Sequence, residues 1–435
     1  MPIFHDFLPK SIQLLRNYTF ATFRKDLLAG LTVGIIALPL AMAFAIASGV
    51  TPERGLFTAI IAGFLISLLG GSRVQIGGPT GAFVIIVYGI VQRTGYEGLC
   101  VSTLIAAALL VLLGLFKIGS WIKYVPQPLV VGFTSGIALV IFSTQMRDFF
   151  GLQMGAPPAE FVAKWVAYIR AFPTMHSTTL FVAAGTLGLI LGIRKFFPKA
   201  PWGIVAILAA TLLCTLFHLP VETIHSRFGE IPRMLPVPSL PSFSFPTLEI
   251  LSDALAIAFL GGIESLLSAV VGDRLSGGKH RSNCELIAQG LANLGSIVFG
   301  GIPATGGIAR TVANVKSGGQ TPVAGMVHAA TLLFVLVCLA PIVSLIPLSA
   351  LAAVLVIVSW NMSELGHFAQ IFRSSTRDRT LLLTAFFLTV LVDITTAITA
   401  GMLLVYFFRL QQPPARQPEV DGGGQHVGNH QDNGT

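Results

Sequence analysis

Residues 77–83 read Gly77-Gly78-Pro79-Thr80-Gly81-Ala82-Phe83, and residues 300–307 read Gly300-Gly301-Ile302-Pro303-Ala304-Thr305-Gly306-Gly307. Allowing one inserted residue, the two openings echo each other, and each introduces a short apolar piece, at about 79–91 and about 304–315. A helix of about ten residues covers only about 15 Å, half of a hydrocarbon core about 30 Å thick. Each piece is therefore expected to begin near the midplane after an extended stretch, with its first N–H groups facing inward unpaired. Proline at the start needs no donor, glycine admits a ligand or a neighbouring backbone at close range, and the free amides with the helix dipole favour an anion. One Gly-Pro break alone can kink an ordinary span. Recurrence at matching positions points to two facing half-helices around one cradle.

The rest of the chain reads as a bilayer protein. It has 435 residues, 54% of them hydrophobic and 11% charged, with a mean hydropathy of +0.80, against about 25% charged in an ordinary soluble domain. These figures exclude a cytosolic enzyme, a disulfide scaffold and a disordered regulator. The net charge of +8 is scattered between apolar runs rather than gathered into a patch, so lipid and not nucleic acid is the expected surrounding. Cys100, Cys214, Cys284 and Cys338 lie in or beside apolar runs without C-x-x-C spacing and are expected to pack as small hydrophobes.

Long runs free of charge occur at about 27–50, 56–70, 98–116, 126–146, 177–193, 202–219, 254–271, 286–300, 322–343, 345–361, 380–392 and 394–408. With the two short pieces they make fourteen segments of an all-α polytopic membrane protein. Placing the N-terminus inside puts 19 of the 27 Lys and Arg in inner loops, as cytoplasmic loops require. The outer loops then hold seven, Arg54, Arg93, Arg147, Lys164, Arg170, Arg227 and Arg233. Both termini are thus expected on the cytoplasmic side of the inner membrane, with no removable signal peptide, and Trp121, Trp202, Trp360 and Tyr124 read as headgroup anchors. A Pro-rich outer connection, 220–253, leaves seven segments on either side, and an odd count inverts the second half. The organisation expected is a cytoplasmic segment 1–26, a first inverted repeat 27–219, the connection, a second repeat 254–410 and a disordered tail 411–435. Inverted repeats with short, interrupted segments at matching positions mark the binding site of many secondary transporters.

Two charges fall inside the second half's apolar runs, where ionisable groups are functional suspects. Glu264 lies in the eighth segment with Ser268 one turn on, and can take up and release a proton during transport; a structural ion pair with Arg310 is the plainer reading. Arg310 follows Gly306 by four residues, so its guanidinium can return one turn and add fixed positive charge to the cradle. Asp273, with Arg274, Lys279, His280 and Arg281, reads as a solvated inner loop, Asp393 as a turn residue and His328 as a hydrogen-bonded core histidine. No nucleophile elbow, Walker loop, H-E-x-x-H pair or dinucleotide fingerprint is present, so neither enzymatic chemistry nor a cofactor or metal is expected.

Leu38-Pro39-Leu40-Ala41-Met42-Ala43-Phe44-Ala45, continued by Ala47-Ser48-Gly49-Val50-Thr51-Pro52 and Gly55-Leu56-Phe57, resembles the first-span motif of the sulfate permease (SulP) anion transporters. Further similarity lies in Gln127-Pro128-Leu129-Val130-Val131-Gly132-Phe133-Thr134-Ser135-Gly136, in Glu264-Ser265-Leu266-Leu267-Ser268-Ala269, in Asn283-Cys284-Glu285-Leu286 with Ala288-Gln289-Gly290, and in Thr305-Gly306-Gly307-Ile308-Ala309-Arg310-Thr311. The resemblance spans roughly residues 20 to 410.

It implies two inverted seven-segment repeats divided into a core (segments 1–4 and 8–11) and a gate (5–7 and 12–14), an elevator-like motion between them, and a homodimer. It also implies a small-anion cargo such as sulfate, bicarbonate, chloride or a dicarboxylate like fumarate. The site residues implied are Leu40, Phe44, Gly81, Ala82, Phe83, Gly306, Gly307, Ile308, Ala309 and Arg310 around the anion, with Glu264 and Ser268 for proton coupling. Three features depart from the family. The chain ends in a polar tail where relatives continue into a STAS domain, Leu40 stands where many carry glutamine, and Ile308 offers no hydroxyl where sodium-coupled members place oxygen ligands. The expectation is proton-coupled symport, with sodium less favoured. An exchanger or sodium-coupled bicarbonate carrier is the nearer alternative, and a passive anion channel or voltage-sensing motor the more distant one.

Overall fold

The computed structural model describes residues 6–16, 18–119, 126–198, 200–241 and 247–410. The tail from 411, and the anchors Trp121 and Tyr124, lie outside the described residues. Helices α1 (Lys10–Leu15), α2 (Phe20–Ala47), α3 (Pro52–Leu69) and α4 (Gly81–Leu115) are followed by α5 (Gln127–Thr144), α6 (Met146–Phe150), α7 (Phe161–Ala171), α8 (Ser177–Phe196), α9 (Trp202–Leu216) and α10 (Ile224–Phe228). The second half runs α11 (Leu248–Ser276), α12 (Ser282–Val298), α13 (Ile308–Lys316), α14 (Val323–Ser344), α15 (Leu348–Met362), α16 (Leu365–Phe372), α17 (Thr376–Leu391) and α18 (Ile394–Leu410).

Each of the fourteen expected segments has a helix. The third and fourth share α4, which breaks at Gly95 with φ 70°, a conformation open to glycine at no steric cost. Eight helices among the described residues are long and apolar enough to cross a bilayer. The first segment starts at Phe20 rather than near Leu27 because the Thr19 side chain caps it, accepting from the Thr22 amide. Thr247 likewise caps α11, accepting from the Ile250 amide, so the eighth segment starts at Leu248 rather than at residue 254. Helices α1, α6, α7, α10 and α16 lie in stretches read as loops; at 5 to 11 residues they are too short for hydropathy to reveal.

Packing sorts the helices into two bodies. In one, α2 and α3 lie against α14, α4 and α3 against α12, and α11 against α4 and α13. In the other, α5 lies against α17 and α15, α15 against α8, α8 against α9 and α17 against α18. These are the core and the gate that the resemblance implies. Within the core α2 and α3 approach closely at Gly55, where a Cβ would fall 2.0 Å from the Ala41 carbonyl oxygen. Gly55→Ala must push the two helices apart and is expected to destabilise the protein by about 1–3 kcal/mol. The midpoint of thermal unfolding in detergent measures this, and an unchanged midpoint would contradict so tight a contact.

The stretches ahead of α4 and α13 are extended and pair with each other. Strand β1 (Gly77–Gly78) runs antiparallel to β2 (Thr305–Gly306), with Gly77 opposite Gly306 and Gly78 opposite Thr305. The Gly307 amide continues the pairing to the Ile76 carbonyl at 3.0 Å. At Gly306 a Cβ would overlap the side-chain amide of Gln75, so any larger residue there must displace Gln75 from its bond to Glu285. The two broken spans thus meet head to head at the centre of the core.

Candidate anion site

Helix α12 carries a polar stripe, Glu285, Gln289, Asn293 and Ser296, all buried, that holds both extended strands from behind. Glu285 accepts from the Gly71 and Ser72 amides at 2.9 and 3.2 Å through one oxygen, and from the Gln75 and Gln289 side chains at 3.1 and 2.9 Å through the other. Asn293 brackets the second strand, donating to the Ala304 carbonyl at 2.9 Å and accepting from its amide at 2.8 Å. Ser296 donates to the Ile302 carbonyl at 2.7 Å, and the Ile302 amide donates to Thr58 at 2.7 Å. Glu285→Ala strands four buried donors at about 1–3 kcal/mol each before relaxation. A loss of about 3 kcal/mol or more is expected, read as a much lower unfolding temperature of the purified protein. A midpoint within a degree of wild type would mean that other groups hold the strand.

Helix α11 supplies the front of the scaffold. Ser265 and Thr305 share a hydroxyl bond at 2.6 Å, and the Gly306 amide donates to Ser265 at 3.2 Å. Thr311 accepts from the Ile76 amide at 3.3 Å and lies 3.0 Å from the Ser268 hydroxyl. Ser268 is therefore committed to Thr311, while Glu264 turns to the other half-helix and accepts from Thr80 at 2.8 Å. The Glu264–Arg310 ion pair that stood as the alternative reading is absent among the described residues.

Arg310 crosses from α13 to the third segment. It is 5% exposed, its Nη2 donates to the Pro79 carbonyl at 2.8 Å, and its Nη1 fills the space beside Gly78, 2.6 Å from where a Cβ would stand. Gly78 has φ 149°, so both backbone conformation and space restrict that position to glycine. Nε and Nη1 of Arg310 have no hydrogen-bond partner among the described residues. A buried guanidinium with two free donors is costly unless a negative group balances it.

The first-turn amides of Gly81 and Ala82 on one side, and of Ile308 and Ala309 on the other, make no hydrogen bond within the protein among the described residues. Helix starts leave such donors free for an anion. Ile308 and Ala309 are exposed, which opens this face of the cradle, and a Cβ on Gly81 would meet Met362 and Ile141 of the gate at 2.8 and 3.0 Å. Phe44 and Phe83 are buried in one apolar cluster, and the half-buried Leu40 packs against it. The structure thus brings Gly81, Glu264, Gly306, Gly307, Ile308, Ala309 and Arg310 to one locus. Thr80, Thr305, Thr311, Ser265 and Asn293 were not singled out from sequence, because hydroxyls and amides inside spans carry no pattern, and Glu285 was not because it falls just ahead of the apolar run at 286–300.

Other expectations fare variously. Asp393 caps α18, accepting from the Thr396 amide at 2.7 Å. Asp273 is not simply solvated, since it holds the His280 amide and ring at 2.8 and 2.6 Å. His328 is fully buried, yet neither ring nitrogen has a partner among the described residues. Cys100, Cys214 and Cys284 are buried, whereas Cys338 is exposed on the outer surface of α14.

Two half-helices facing each other across a paired strand, embedded in a core that abuts a separate gate, define a polytopic transporter fold. The model of the sulfate permease family matches residues 23–385. A putative sulfate transporter, YvdB of Bacillus subtilis, is 44% identical over 399 residues, covering 91% of this chain and 75% of its own. The bicarbonate transporter BicA of Picosynechococcus is 31% identical over 428 residues, covering 94% of this chain and 74% of its own. Among solved structures, the transmembrane domain of a cyanobacterial bicarbonate transporter BicA superposes with a TM-score of 0.79 at 31% identity, covering 88% of this chain and 98% of that one. The chain belongs to the sulfate permease family, and it is a membrane transport protein rather than an enzyme.

Proposed function

We propose that this chain is a secondary active transporter that carries a small oxyanion together with a proton. The observation that carries the reading is the apposition of two free helix starts, Gly81-Ala82 and Ile308-Ala309, with the buried Arg310 guanidinium beside them. Donors and positive charge converge there, and Glu264 reaches the same rim through Thr80. The anion would be held by Gly81, Ala82, Phe83 and Gly306 to Arg310, with Leu40 and Phe44 shaping the apolar wall. Glu264 would take the proton, and Ser268 would steady its helix through Thr311.

Backbone amides and one guanidinium accept sulfate, bicarbonate and dicarboxylates alike, and the relatives' names support sulfate and bicarbonate as the first anions to test. Access alternates as the core moves against the gate, with the Gly81–Met362 contact between them opening and closing. The excess of Lys and Arg in alternate loops supports cytoplasmic termini in the inner membrane, and the family resemblance supports a homodimer. Sodium coupling is disfavoured by the apolar Ile308 at the mouth. Thermal unfolding of the purified protein across a panel of sulfate, bicarbonate, chloride and fumarate tests the cargo. An anion at a hundred times its dissociation constant adds about 2.7 kcal/mol and raises the midpoint, whereas a panel without effect contradicts a cradle for any of them.

A further inference from the structure

A second cationic cavity lies away from the half-helix starts, between the core and the gate. Its volume is about 220 Å³, room for several waters at about 30 Å³ each, and so for a small oxyanion. Lys164 of α7 lines it, 1% exposed, with its ammonium 5.4 Å from the ring centroid of Tyr88 on α4. The ion pairs among the described residues include neither Lys164 nor Arg147, which lines the same cavity from α6. Arg227 of α10 is the third cation, held by Asp148 at 2.7 Å and by Glu222. Asp148 and Glu222 both spend their charge on Arg227, which leaves Lys164 and Arg147 as the cations of this cavity outside any ion pair among the described residues.

Burying an ammonium without a counter-charge is unfavourable, because water no longer solvates it. A cation–π contact at this range offsets only part of that cost, because an aromatic ring carries no net charge. The remainder marks a place prepared for a negative group. The cavity also borders Ile46 and Ala47 of α2 and Gln92 of α4, on the same two helices as Phe44 and Gly81. Tyr88 stands seven residues beyond Gly81, about 10 Å along the helix.

We propose that Lys164 and Arg147 form a second binding site for a small inorganic oxyanion at the core–gate boundary, about two helical turns from the half-helix starts. With the termini cytoplasmic this site faces outward, and it concentrates the anion at the mouth before the cradle. An ion there is released when the core moves, since its walls belong to both bodies. Burial lowers the Lys164 amine to about 8. Tyr88 of α4 faces the ammonium, Arg147 and Asp148 of α6 and Arg227 of α10 line the same cavity, and Tyr168 lies one turn on in its own helix. The anion binds the protonated amine, so the site weakens as pH rises through 8.

Equilibrium dialysis of the purified full-length chain at pH 7, with labelled sulfate and in a closed cell with labelled bicarbonate, tests this. Wild type is expected to bind two equivalents per chain of at least one of these anions, Lys164→Gln one, and Lys164→Arg two. Affinity for the Lys164-dependent equivalent is expected to fall about tenfold between pH 7 and pH 9. Arg310→Ala removes the other equivalent and leaves this one; an Arg310→Ala isotherm equal to wild type would count against the cradle while the Lys164 site stood. Isotherms for both anions that are the same in wild type and Lys164→Gln overturn the proposal.

Discussion

In sealed proteoliposomes with an inward gradient of one pH unit, the wild-type protein is expected to accumulate its anion about tenfold for each proton carried, and Glu264→Gln not at all. One pH unit is worth about 1.4 kcal/mol, a factor of ten in an equilibrium, so the whole gain disappears with the proton. Glu264 sits in the middle of α11, half-buried, and its one hydrogen bond among the described residues comes from Thr80, the residue just ahead of α4. Glutamine keeps the side chain's size and its acceptor toward Thr80 but cannot change charge. Exchange of labelled for unlabelled anion across equal pH should therefore persist in the variant. Equal pH-driven accumulation in Glu264→Gln and wild type would remove Glu264 from coupling.

Arg310→Ala is expected to weaken anion binding about a hundredfold while Arg310→Lys loses much less. A unit charge about 6 Å from an anion, at an effective dielectric of about 20, contributes about 3 kcal/mol, close to two factors of ten. Arg310 is buried at the joint of the two half-helices, bonded to the Pro79 carbonyl and with two donors unpartnered. Its charge is fixed there regardless of pH in the working range. Lysine restores the charge without the fork, so the difference between the two variants separates field from geometry. Calorimetric titration of the anion found in the thermal panel measures both, and unaltered affinity in Arg310→Ala would place the anion elsewhere.

The half-helices were legible because Gly-Pro openings inside apolar runs are rare and these two echo each other. Glu264 and Arg310 were legible because a charge in a span stands out against the cost of burying it. The two-residue strands that join the openings were not, since pairing so short has no periodicity. The α12 stripe escaped notice for another reason: Glu285 falls just ahead of the run at 286–300, and Gln289, Asn293 and Ser296 are uncharged residues within it, so nothing marks them until the strands they hold are placed beside them. Ser268 sits one turn after Glu264 as expected, yet its hydroxyl belongs to Thr311, because Thr311 supplies a partner that helix periodicity cannot reveal. Lys164 read as one of seven scattered outer cations, and only the packing of α7 against Tyr88 sets it apart.

The most direct measurement of coupling at the apposed helix starts is the initial rate of uptake of labelled anion by wild-type proteoliposomes, first with a pH gradient alone and then with a sodium gradient alone. Saturable uptake against the anion gradient is expected when the outside is acid, and none above equilibration when only sodium is supplied. Accumulation driven by sodium and indifferent to pH would contradict this, as would flux that rises without saturation under either gradient.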